Sequence, residues 1–193
     1  MLGPRMSTWL GRIILISGLL AILGMALTWA FRYEIRYRRL QTPIEEAAAR
    51  YGIPPHLIGA VIWQETRFQS QCRGKAGEIG LMQIMPRSAA EWARAEHVPS
   101  FEAGALFNPA TNILAGTWYL ARALRRWSSE ADPIPYALAE YNAGRSNALR
   151  WGRAAEAGAQ PFLVSVDYRS TREYIQSILR TYTSFGKPWE RWR

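Results

Sequence analysis

The stretch Pro54-Pro55-His56-Leu57-Ile58-Gly59-Ala60-Val61-Ile62-Trp63-Gln64-Glu65-Thr66-Arg67-Phe68 sets proline at a helix start. It then places Leu57, Ile58, Val61 and Ile62 at the i, i+1, i+4, i+5 spacing of a buried face. Glu65 extends the row Leu57, Val61, so the helix aims a carboxylate at the side it buries. Desolvation disfavours the charged form, and an acid that keeps its proton near neutral pH can serve as a general acid. On spacing alone, a Glu at the helix end paired with Arg67 or Arg73 is an equal reading.

Helical signals continue on both sides. Thr42-Pro43-Ile44-Glu45 has the form of a capping box, with a helix running to a stop at Gly52. Further helices are predicted from Pro86 to about Glu96, after Asn108-Pro109 to about Trp127, from Asp132-Pro133 to Gly144, over about 146–151 and over 171–185. The last sets Tyr174, Ile175, Ile178, Leu179 and Tyr182 on one side. Only 162–166 has the look of a strand. The expectation is a mainly α domain of several helices around a common centre.

At 193 residues, 49% hydrophobic and 20% charged, the chain has room for one domain with a short appendage and is neither disordered nor low-complexity. Nine Trp and nine Tyr imply a large core or a stacking surface. Of the net charge of +9, +5 falls in the first 40 residues, where Arg5, Arg12, Arg32, Arg36, Arg38 and Arg39 face Glu34 alone. The rest is spread thinly and bears no nucleic-acid-binding signature, so nucleic acid is not an expected partner. The single Cys72 cannot form an internal disulfide. His56 and His97 are isolated, no paired metal-ligand motif occurs and no Gly-rich phosphate loop is present. Neither metal nor cofactor is therefore expected.

Residues 13–31 carry no formal charge, lie between Arg12 and Arg32, and have Trp9 and Trp29 near the edges. A helix of that length rises roughly 28 Å, near the hydrocarbon thickness of a bilayer. This predicts one N-terminal transmembrane helix, in preference to a signal peptide cleaved around Gly24-Met25-Ala26. The expected organisation is an N-terminal segment 1–12, an anchor 13–31, a juxtamembrane tether 32–41 and a globular domain 42–193.

After Glu65-Thr66-Arg67-Phe68 come Gly77-Glu78-Ile79-Gly80-Leu81-Met82-Gln83-Ile84-Met85-Pro86 and, much later, Ala139-Glu140-Tyr141-Asn142-Ala143-Gly144. With these motifs the chain resembles the catalytic domain of the family 1 lytic transglycosylases over roughly residues 42–185. The ordered set is far more specific than any single member. Asn108-Pro109-Ala110-Thr111-Asn112 and Thr171-Arg172-Glu173-Tyr174 support it.

The resemblance implies a lysozyme-like helical fold with a glycan cleft and one catalytic acid, which maps onto Glu65. The implied substrate is peptidoglycan. The implied reaction cuts the β-1,4 bond between N-acetylmuramic acid and N-acetylglucosamine and closes a 1,6-anhydro ring on the muramoyl product. Tyr141 matches the family tyrosine whose hydroxyl lies near the acid. Asn142 and Gln83 are candidate sugar partners, and Met82 is either a wall against a sugar face or core filling. Rival readings are a water-consuming muramidase and a glycan-binding module without turnover. The implied location is the bacterial inner membrane, with the catalytic domain in the periplasm, although the excess of Arg after 13–31 argues for the opposite orientation.

The chain departs from the family pattern in places. Thr66 stands for the usual Ser and keeps a hydroxyl. Ser170 stands where many relatives have Glu. Glu78 stands where many have a small residue, and is read as a solvated loop charge in preference to a second cleft carboxylate.

Overall fold

Residues 4–184 are described by the computed structural model, apart from the side chains at 4–8, 10, 26, 27 and 29–33. The first helix, α1, runs unbroken from Pro4 to Tyr51. The predicted helix start at Thr42 is therefore not a start. Residues 32–41 contain no Gly or Pro to interrupt the ladder, and Arg38 donates to Glu34 one turn earlier at 2.8 Å. Pro43 lies inside the helix, where it has no N–H for the carbonyl of Arg39. The chain divides at that carbonyl into two units, Met1–Arg39 and Leu40–Arg193.

In the first unit the described side chains from Gly11 to Met25 are exposed, with Trp9 exposed as well. The expected transmembrane anchor over 13–31 is corrected. Among the described residues no helix is long and apolar enough to cross a membrane. The side chains of Trp29 and Arg32, which framed the far edge of that expectation, lie outside the described residues. The membrane partnership and the single-pass inner-membrane location fall with the anchor.

The second unit is helical throughout its regular structure, which agrees with the mainly α expectation. After the last turns of α1 come α2 (Pro55–Thr66), α3 (Pro86–Ala95), a 3-10 turn (Ala103–Phe107), α4 (Pro109–Arg126), α5 (Pro133–Ala143), α6 (Arg145–Ala157), the short α7 (Phe162–Ser165) and α8 (Arg169–Ser184). Local chemistry sets most of the ends. Asn108 accepts from the Thr111 N–H at 3.1 Å to start α4, and Asp132 accepts from the Ile134 N–H at 3.2 Å to start α5. Helix α2 stops two residues early, because Arg67 and Phe68 both take left-handed backbone angles (φ 51° and 60°). The strand considered at 162–166 is the turn of helix α7, entered through Pro161.

Leu57, Ile58, Val61 and Ile62 are wholly buried, as their spacing predicts, and make α2 the central element. Helix α8 packs along it, and α4, α5 and α6 pack in sequence. Between α2 and α3 the chain makes no helix. It folds into a tight loop in which Ile79 exchanges two backbone hydrogen bonds with Ile84, at 3.0 and 3.1 Å.

Candidate active site

Glu65 sits one residue before the end of α2 and looks into a cavity of about 280 Å³, which Gln83, Tyr141, Asn142, Gly74 and Glu78 also line. Three separate segments therefore deliver the motif residues to one place: the end of α2, the loop before α3, and the end of α5. A larger cavity of about 550 Å³ lies by Trp127, Tyr136 and Gly152 and contains none of the predicted site residues.

Burial is the main force on Glu65. It pushes the carboxyl up to about 7 from an ordinary 4.5, and the nearby Glu78 carboxylate pushes in the same direction. One hydrogen bond opposes them: the Tyr174 hydroxyl donates to Glu65 Oε1 at 2.6 Å. Tyr174 reaches this point because α8 lies along α2, where Ser177 also donates to the Gln64 side chain at 2.7 Å. The Tyr174 phenol is buried and held well above its ordinary pKa, so it stays a donor.

Sequence reasoning missed this contact. It placed Tyr174 with Ile175 and Ile178 on one side of the last helix and gave it no partner. The signal was there, since a buried phenol requires an acceptor. Tyr141, the tyrosine expected near the acid, does line the cavity, but its hydroxyl donates to the Met82 carbonyl at 2.8 Å. Its ring is fixed edge-on against Tyr119 at 5.8 Å.

The loop at 80–83 is held by side chains from elsewhere. Asn112 of α4 is completely buried. It accepts from the Met82 N–H at 2.8 Å and donates to the carbonyls of Ile79 and Leu106 at 2.8 and 2.9 Å. Thr66 donates to the Leu81 carbonyl at 2.9 Å, so the hydroxyl beside Glu65 ties the loop to α2. Gly80 has φ +76°, and a Cβ there would lie 2.2 Å from the Asn112 amide nitrogen. Glycine at 80 is thus needed for backbone angle and for space.

Met82 is wholly buried, and its sulfur packs over Gly116, where a Cβ would come within 2.5 Å. Its side chain fills the core, and only its backbone serves the cleft. Gln83 adopts φ 47° and donates through Nε2 to the Gly80 carbonyl at 2.8 Å, which leaves Oε1 for the cavity. Asn142 is exposed at the rim and accepts from Thr171 at 2.8 Å, leaving its amide N–H groups for a ligand. Glu78, read from sequence as a solvated loop charge, is half-buried and lines the cavity. Ser170 is exposed in the first turn of α8.

The site therefore combines a carboxyl whose pKa burial raises to about 7, a neutral phenol orienting it, and amide groups of both polarities around the opening. It is equipped to give and retake one proton at a polar, uncharged ligand.

Three comparisons agree with that arrangement. The sequence profile of the transglycosylase SLT domain matches residues 42–161. The soluble lytic murein transglycosylase of Escherichia coli K12 is 30% identical over 130 residues, covering 66% of this chain but only 20% of its own length. A membrane-bound lytic murein transglycosylase C of Actinobacillus pleuropneumoniae is 35% identical over 124 residues, covering 61% of this chain and 34% of its own. Among solved structures, an inactive mutant of the lytic transglycosylase Slt from Pseudomonas aeruginosa superposes with a TM-score of 0.67 at 25% identity, over 78% of this chain and 24% of that one. The 70-kDa soluble lytic transglycosylase of Escherichia coli gives 0.67 at 26%, over 76% and 24%.

Proposed function

The chain belongs to the transglycosylase SLT domain family, and from that membership we propose that it is a peptidoglycan lytic transglycosylase with Glu65 as its catalytic acid and base. The chain spans about a fifth of the length of the Escherichia coli relative, so the activity rests on the site itself. One observation carries it: Glu65 is buried beside a cavity with its pKa raised to about 7 and one oxygen anchored by Tyr174.

With Oε1 occupied, Oε2 of Glu65 delivers its proton to the glycosidic oxygen as the bond from the N-acetylmuramic acid C1 breaks. The leaving N-acetylglucosamine departs with a free hydroxyl. The Glu65 carboxylate then takes the proton from the muramoyl 6-hydroxyl, whose oxygen bonds to C1. The 1,6-anhydro ring closes, Glu65 regains its proton, and no water is consumed. Tyr174 eases the anionic half of this cycle, because its hydrogen bond favours the carboxylate. The Asn142 amide N–H groups are suited to the C=O of an acetamido group, and Gln83 Oε1 offers an acceptor beside it. Tyr141 acts through the Met82 backbone to hold the loop that carries Gln83. The catalytic domain is assigned to 42–193, a start supported by the family match from residue 42 and by the unit boundary after Arg39.

Digestion of purified sacculi followed by mass analysis of the muropeptides tests the reaction. Products one water lighter than hydrolytic ones are expected. Reducing ends throughout would instead support a muramidase, which Glu78 favours as a second carboxylate lining the same cavity. Glu65→Gln should reduce cleavage by about 10²–10⁴-fold with the helical signal unchanged, the usual worth of a general acid.

A further inference from the structure

Glu78 and Gly74 form a pair that the proposed reaction does not use. A Cβ built on Gly74 would lie 2.2 Å from Glu78 Oε2 and 2.8 Å from Gln83 Oε1. Two acceptor oxygens thus lie side by side against the Gly74 backbone on the cavity wall, and any side chain at 74 would push them apart. Gln83 cannot turn a donor there without giving up its Nε2 bond to the Gly80 carbonyl. Glu78 Oε2 receives only the Ala76 N–H, at 3.1 Å. Among the described residues no cation pairs with Glu78 within 4 Å, and the exposed Lys75 lines the same cavity without reaching it.

A neutral ligand donor, such as a hydroxyl or an acetamide N–H, brings one proton to this pair and leaves a partly buried carboxylate with an unanswered charge. A primary ammonium brings three protons and the compensating charge. We propose that Glu78, accommodated by Gly74 and assisted by Gln83 Oε1, is a specificity residue that selects glycan strands bearing a primary ammonium group near the cleaved bond. This deepens the peptidoglycan reading and rests on it. The ammonium has two possible sources, a glucosamine lacking its N-acetyl group or the free amine of a stem peptide.

Binding to the full-length chain, measured calorimetrically at pH 7 with short ligands, separates the sources without requiring turnover. One pair is a fully N-acetylated glucosamine tetramer and its deacetylated counterpart. The other is a muropeptide with its stem amine free or acetylated. In at least one pair the amine-bearing member should bind about tenfold tighter, a ratio that falls with added salt. That ratio should drop to near one in Glu78→Gln. It should drop likewise in Gly74→Ala, which keeps the charge but displaces the Glu78 carboxylate from beside Gln83 Oε1. The pair showing the effect identifies the source. No preference in either pair, or a preference that survives Glu78→Gln, overturns the inference. If anhydro products appear in the sacculus assay while the preference is absent, this inference alone fails; if no probe binds and no product forms, the peptidoglycan reading fails with it.

Discussion

Glu65 obtains its character from three neighbours whose effects differ in sign, so its titration can be tested from each side. Burial and Glu78 raise its pKa, and the Tyr174 hydrogen bond lowers it. In the proposed reaction Glu65 gives up its proton first, so the rate should fall as pH rises through about 7. Glu78→Gln removes a like charge and should move that limb to lower pH. Tyr174→Phe removes a stabiliser of the carboxylate and should move it to higher pH. A pH–rate series on solubilised glycan strands would read both, and limbs that stay in place would show that these contacts do not govern the acid. The same shift affects stability. Because the folded pKa lies above the ordinary value of 4.5, folded protein holds a proton that unfolded protein has lost between about pH 4.5 and 7. Stability from this group is full below 4.5 and is lost as pH rises through 7. Glu65→Gln should therefore melt higher than wild type at pH 8, by up to about 3 kcal/mol, with the gap closing at pH 4. The burial of Glu65 was half legible in sequence, since a carboxylate in line with Leu57 and Val61 read equally well as an ion-paired helix end. The roles of Glu78 and Tyr174 were not, because each depends on a neighbour that local periodicity cannot name.

Among the elements, the loop between α2 and α3 is held by side chains from its neighbours as well as by its own backbone hydrogen bonds. It depends on Asn112 from α4 and Thr66 from α2. Asn112→Ala would leave the Met82 N–H and the Ile79 and Leu106 carbonyls without that partner in a buried setting. Each such orphaned group costs about 1–3 kcal/mol, so a loss of about 3–5 kcal/mol in urea unfolding is expected, with relaxation limiting the total. Cleavage should fall as well, because Gln83 rides on this loop. Helix α5 is tied in a comparable way. Its Glu140 is buried and accepts from Trp127 Nε1 at 3.0 Å and from the Arg126 guanidinium at the end of α4. The motif that includes Glu140 was quoted for its Tyr and Asn, but the carboxylate just before them holds two helices together. The helix starts at Pro55, Pro86, Asn108 and Asp132 were legible because a cap is decided within three or four residues, whereas Thr42-Pro43 has the same form inside a continuing helix. The end of α2 was not, because two non-glycine residues in left-handed geometry contradict local preference and persist only through the fold around them.

For the whole molecule, the boundary after Arg39 predicts that the second unit keeps its own stability. A chain starting near residue 34 should unfold cooperatively, with a melting temperature within a few degrees of the full-length protein, and should still release anhydro products from sacculi. A broad transition would show that the first unit is needed for folding. The sequence by itself determined the helical class, the buried face of α2 and the set of motif residues, since side-chain period and turn chemistry are properties of consecutive residues. A 13–31 run free of charge suggested a membrane span, and that expectation did not survive. Only the tertiary structure decided that Tyr174, 109 residues further on, grips Glu65, that Met82 belongs to the core, and that Glu78 faces the cleft. Those outcomes follow from how α8 packs on α2 and α5, and α5 on α4, and packing joins residues whose separation along the chain carries no local signal.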